Sequence, residues 1–175
     1  MNQKLFADVL SQLGVDGVGV LEIQSQQNLL ISSRTYSLEI GGCLGAEATF
    51  GQDVDVFTKE MALSTFESAM IPNLPENLRY RSNIIIANIG DEEAEVVVQL
   101  FTGTGDGLVS ELPPIMLAPH SLNQINRPFL GKLGLEQSSP GFARISVVRG
   151  SGVIAFGSVV DNTTNDPTTV PMRKW

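Results

Sequence analysis

The chain has 175 residues, 42% hydrophobic and 17% charged, with a formal net charge of −8. That is enough apolar side chain to bury a core, which argues against a disordered polymer. The negative balance argues against nucleic acid and anionic membrane surfaces, since both draw on clustered Lys and Arg.

From the N-terminus, residues 1–13 carry Lys4 but lack the continuous apolar run and small-residue cleavage site of a signal peptide. No window approaches the roughly 18 apolar residues that a spanning helix needs. Leu5, Val9 and Leu13 recur four apart with Phe6 and Leu10 beside them, so residues 4–13 are expected to form a short helix stopped by Gly14. Residues 17–23 (GVGVLEI) and 28–36 (NLLISSRTY) read as strands joined as a hairpin through the polar SQQN. Residues 37–48 form a Gly-rich loop holding Cys43, the single cysteine, so neither an intrachain disulfide nor a cysteine-based zinc cluster can form. Such a lone thiol is more often a small packed or loop residue than a reactive one. Residues 49–57 return as a strand, and residues 59–69 read as a linker with one helical turn.

A second unit follows. Pro72 and Pro75 hold its lead-in extended or at a sheet edge. Residues 80–88 (YRSNIIIAN) are the most apolar strand, and residues 94–101 (AEVVVQLF) read as its antiparallel partner. The TGTGDG of residues 102–107 has hairpin-turn chemistry. Residues 108–112 and 115–117 read as an irregular strand pair broken by Pro113 and Pro114. A turn at residues 118–121, a short strand at 122–125 and a helical turn at 128–133 ended by Gly134 come next. Then GFARISVVRGSGVIAFGSVVD gives two apolar strands around a Gly-Ser-Gly turn, an Asx-rich loop and a Thr-Thr-Val-Pro stub. Strand signals every 8 to 12 residues or so, separated by turn chemistry, describe a β-sandwich.

The chain also repeats. Leu13-Gly14 and Leu133-Gly134 each close a short helix. Residues 19–23 match 141–145, and residues 30–36 match 154–160, with small gaps at turns. Residues 1–66 therefore read as the second half of a sandwich unit, and residues 67–175 as a complete one. Half a sandwich exposes an apolar face and unpaired edges, so it must be completed. Packing on the second unit is the expected solution; strand or half-repeat exchange would instead make a homodimer.

The segment SVVDNTTNDPTTVP (Ser158 to Pro171) resembles a recurring signature of secreted bacterial multi-repeat proteins. Arg81-Ser82-Asn83, Leu117-Ala118-Pro119, and Ser33-Arg34-Thr35-Tyr36 with Thr49-Phe50-Gly51-Gln52 are similar to those repeats too. His120 departs from them, standing where the turn calls for Gly. The resemblance covers nearly the whole chain. It implies immunoglobulin-like β-sandwich modules, non-catalytic as a rule, in secreted or cell-surface proteins.

Four residues are the candidate metal ligands: Asp161, Asn162, Asn165 and Asp166, whose clustered oxygens suit calcium. The competing reading is that Asp and Asn cap their own turns. Asn162-Thr163-Thr164 also fits the N-glycosylation triplet. Asp53 and Asp55 are expected to face solvent. His120 and Ser121 are adjacent, so on an extended strand they point to opposite faces, poorly placed for proton transfer. The GTGDG at residues 103–107 lacks the Lys and Ser/Thr of a phosphate loop.

The expected fold is all-β, an immunoglobulin-like antiparallel sandwich with one or two short connecting helices. The expected function is a non-enzymatic structural or interaction module, a spacer or adhesive surface, of an extracellular bacterial protein. Its partners would be other protein modules or surface ligands. The alternative is a small-ligand or carbohydrate-binding module, calcium-stabilised, with its site in the Asx loop or in the loop at residues 37–48. A hydrolase would require His120 to meet a carboxylate and a nucleophile in one cleft.

Overall fold

The computed structural model describes residues 4–16, 19–39, 48–103, 107–136 and 141–174. The loop containing Cys43 and the tip of the 102–107 turn lie outside the described residues. A short helix, α1 (Val9–Gln12), opens the chain, and a hairpin of β1 (Ser33–Glu39) and β2 (Ala48–Val54) follows. After a 3-10 turn at Lys59–Met61 come β3 (Leu63–Ser64), β4 (Ser68–Ile71), β5 (Tyr80–Asn88) and β6 (Ala94–Thr102). Next are β7 (Leu108–Glu111), β8 (Ile115–Leu117) and β9 (Ser121–Asn126), then a π-helical turn at Pro128–Lys132. The chain finishes with β10 (Gly141–Arg149), β11 (Ser151–Asp161), β12 (Pro167–Pro171) and β13 (Arg173–Lys174).

The expected all-β sandwich is what the chain forms. One antiparallel sheet runs β13–β4–β10–β6–β7, with β8 also on β6; the other runs β12–β11–β5–β9, with β3 on β11. Alternation sets the inner faces. Along β6, Ala94, Val96, Val98 and Leu100 are fully buried, and so are Ala143 and Ile145 of β10. Ile84 and Ile86 of β5 face them, with Val153 and Ala155 of β11. Phe129, from the π-helical turn, fills one end of the core. A Cβ on Gly141 would sit 2.5 Å from Phe129 Cζ, so a bare α-carbon is what lets that ring in.

Four expectations are corrected. Strands 80–88 and 94–101 both form but are not partners: β5 pairs β11 and β9, while β6 pairs β10, β7 and β8. The chain changes sheets between them, and buried Asn88 organises the crossing. Its Nδ2 donates to Glu92 O at 2.7 Å and to Leu117 O and Ala118 O at 3.2 Å, and its Oδ1 accepts from Gly90 N at 2.9 Å. The strands around Pro113 and Pro114 do not pair with each other either. Both lie along β6, because prolines interrupt the ladder without turning the chain. The hairpin expected from residues 17–23 and 28–36 does not form. Residues 19–32 make no ladder, and it is β1 and β2 that pair, in the register Ser33↔Val54 to Glu39↔Ala48. Finally, the 4–13 helix is reduced to the four residues of α1, with no buried side chain to hold more turns.

Candidate functional site

The Asx loop between β11 and β12 brings the four candidate ligands together, but on bonds to backbone and to two arginines. Asp161 Oδ1 accepts from Thr163 N at 2.7 Å, and Asp161 Oδ2 lies 3.5 Å from Arg79 Nε. Thr163 N–H holds the Asp161 carboxyl below the usual carboxylate range, with Thr164 and Arg79 adding to it. Asn162 Oδ1 accepts from Arg81 Nη1 at 2.9 Å, while its Nδ2 donates to Leu78 O at 3.1 Å. Asn165 Oδ1 accepts from Arg81 Nη2 at 3.2 Å, and Asn165 itself sits at φ 59°. Asp166 is exposed, and its backbone N–H donates to Thr164 Oγ1. The guanidiniums of Arg79 and Arg81 therefore already engage oxygens of Asp161, Asn162 and Asn165, and a calcium ion would have to displace them. The strand β5 supplies Arg81 because its outward-facing positions run beside β11 in the register Arg81↔Val160.

His120 sits at φ 53°, in the left-handed backbone region that favours glycine. Its Nε2 is 3.1 Å from Asp91 Oδ1, both exposed. Ser121 Oγ donates instead to Ala118 O at 2.7 Å, so the hydroxyl is turned away from the imidazole. Asp53 and Asp55 are exposed, as expected.

Two depressions mark the sandwich surface. One, of about 630 Å³, lies where β3, the 89–92 turn, Gly152 and Lys174 meet. One ion pair crosses it: Lys174 Nζ is 2.7 Å from Glu67 Oε1. Glu67 also accepts from Ser64 N and Oγ at 2.8 Å. The Lys174 bond, then those from Ser64, hold its carboxyl down to about 2. The other, of about 440 Å³, is lined by Met70, Pro72, Asn73, Gly141 and Phe142 on the outside of the other sheet. Phe142 also stacks on Phe101, with ring centroids 4.8 Å apart. Asn73 is the one polar side chain in that lining, so it lacks the converging donors and acceptors that orient a sugar.

Glu76 carries no recognisable sequence signal and proves to be the one buried carboxylate among the described residues. It is fully buried and accepts from Phe129 N at 3.1 Å and Leu130 N at 2.8 Å. Burial pushes its carboxyl up, against the pull of those two N–H groups and of Arg127. A glutamate followed by a short polar stretch is ordinary in sequence; only the fold aims it at the start of the π-helical turn.

Sandwich and site together define an antiparallel β-sandwich module whose Asx loop is closed by hydrogen bonds to its own backbone and to Arg79 and Arg81. Neither a protein-family model nor a curated protein matches the chain. Among solved structures, the crystal structure of Thermotoga maritima 1070 is similar, at 17% identity over 64% of this chain and 94% of that one, with a TM-score of 0.44.

Proposed function

We propose that this chain is a non-enzymatic interaction module of an extracellular bacterial protein, built to join one sandwich unit to the next. The observation that carries the reading is the joint between the N-terminal part and the sandwich. The β1–β2 hairpin lies along the edge strand β12, with Thr169 Oγ1 donating to Asp53 O. Ser158 Oγ donates to Gln52 Oε1 at 2.8 Å, and Phe57 stacks on Phe156 with centroids 6.2 Å apart. Strand edge, outer sheet face and an aromatic pair are thus all spent on holding one unit against another, which is what an interaction module does with such surface.

The ends of the sandwich refine the reading from spacer towards adhesive surface. Lys174 of β13 meets Glu67, at the start of β4, at 2.7 Å. The chain therefore leaves the sandwich beside the point where it came in, a geometry that packs units side by side and sets little length. Protease shaving of intact native cells tests the assignment. Release of the chain into the medium is expected, and recovery of the chain solely from the cytosol refutes it. A second test removes the joint: Phe57→Ala should speed amide exchange in β1 and β2 while leaving β5, β6 and β10 protected.

A further inference from the structure

We infer that residues 9–16 and 19–35 form a docking surface for the first half of a sandwich unit of the same repeat type. The inference rests on the module reading above and adds what the partner is. The complete unit is the template. In it, β10 has two ladder partners, β4 and β6, and both belong to the first half of the unit. Strand β11 pairs β5 and β3 from that half, and also β12 from its own. Take the first half away and one ladder survives, the local β11–β12 hairpin. The N-terminal part of the chain shows that pattern. Its counterpart of β11–β12 is formed, as β1–β2, while residues 19–23, the counterpart of β10, make no ladder.

The helical turns agree. Asp8 and Arg127 precede the two turns at φ 51° and 47°, and Gly14 and Gly134 follow them at φ 67° and 66°. In the complete unit Phe129 is fully buried and Glu76, from the first half, receives its N–H. In the N-terminal copy Leu10 is 42% exposed, and no residue of α1 is buried. Beyond α1, Leu21, Ile23 and Leu29 are each about half exposed, and Leu30 fully so. An apolar series of this length is what the strands of a first half would bury. The fitting partner offers two strands alternating like β5 and β6, short edge strands to flank residues 19–23, and a buried carboxylate placed like Glu76.

The experiment builds the partner from the chain itself. A second copy of residues 62–126 is fused directly ahead of Asp8, the position that corresponds to Arg127, and amide exchange is followed by mass spectrometry. In the parent chain, residues 19–23 should exchange at the rate of an open peptide. In the fusion they should slow by roughly 100-fold or more. The same fusion carrying Ile84→Asp and Val98→Asp in the added copy should show no slowing. Equal exchange in parent and fusion overturns the inference. So does slow exchange of residues 19–23 in the monomeric parent, a result that needs no variant to fold. Slowing that instead appears in the parent with rising concentration, alongside a dimer by light scattering, replaces the half-unit partner with a second copy. None of these outcomes bears on where the protein resides, so shaving and exchange fail separately.

Discussion

Replacing Glu76 by Ala removes both acceptors at the start of the π-helical turn at once. The N–H groups of Phe129 and Leu130 would then be left without a partner beside a fully buried ring. Each buried N–H left unpaired costs roughly 1–3 kcal/mol. Relief from burying a charge returns part of that, so the net loss should be about 2–4 kcal/mol by the same bookkeeping. With a urea slope of about 1–3 kcal/mol per molar, the midpoint should fall by on the order of 1–2 M. Glu76→Gln keeps the shape but turns an NH2 towards one of the two N–H groups, and should lose about half as much. The two variants also separate charge from packing. Burial raises the folded pKa of Glu76 above its unfolded value of 4.5, so the native state holds this proton more tightly. Its contribution to stability is then fullest below 4.5 and is lost as pH rises through the folded value. The wild-type minus Glu76→Gln difference should therefore shrink as pH rises above 4.5. Urea unfolding followed by far-ultraviolet circular dichroism reads both effects. A Glu76→Ala variant within about 0.5 kcal/mol of wild type, or a flat pH difference, would refute the reasoning.

Three further outcomes follow from other parts of the molecule. Gly141→Ala places a Cβ 2.5 Å from Phe129 Cζ and 2.8 Å from Leu74 O; it should cost about 1–3 kcal/mol or more in urea unfolding, and a neutral result would mean the ring can retreat. Glu67 is held down to about 2 by Lys174 and Ser64, so its contribution is present above 4.5 and is lost as pH falls from there towards 2. Acid melts should show Glu67→Gln removing that portion of the pH dependence. Calcium at about 5 mM, well above the weakest extracellular sites, should leave the melting temperature unchanged. An upward shift of several degrees would show that Arg79 and Arg81 yield the Asx loop to the ion.

Alternation carried most of the strands. Residues 80–88, 94–102 and 141–161 announce themselves because one face is apolar at every second position and turn residues bound each run. Pairing was another matter. A short link between two apolar strands reads as a hairpin, yet both the 80–102 and 141–161 segments cross from one sheet to the other. What decides it is local and polar. Asn88 spends both ends of its side-chain amide at one crossing, and at the other Gly150 and Gly152 adopt φ 91° and 83° against residues 93–94 and 90. Neither residue type says "crossover" in sequence. The Asx loop was legible as a cluster, and the arginines that occupy it were not, because Arg79 and Arg81 lie some 80 positions earlier and meet it through the β5–β11 ladder. Glu76 was missed for the same reason.

The N-terminal residues show where such reading stops in principle. Residues 19–23 and 141–145 match in pattern, yet one segment makes no ladder and the other is the centre of a sheet. A strand's alternation fixes which face wants burial; it does not supply the neighbours that satisfy its N–H and C=O groups. For β10 those neighbours are contributed by residues 68–71 and 94–102, one on either side. A hairpin such as β1–β2 carries its neighbour with it, so it forms wherever the sequence goes. The fate of each segment is then settled by asking where its ladder partners lie: a strand whose partners are distant in sequence forms only when both flanking segments are in place.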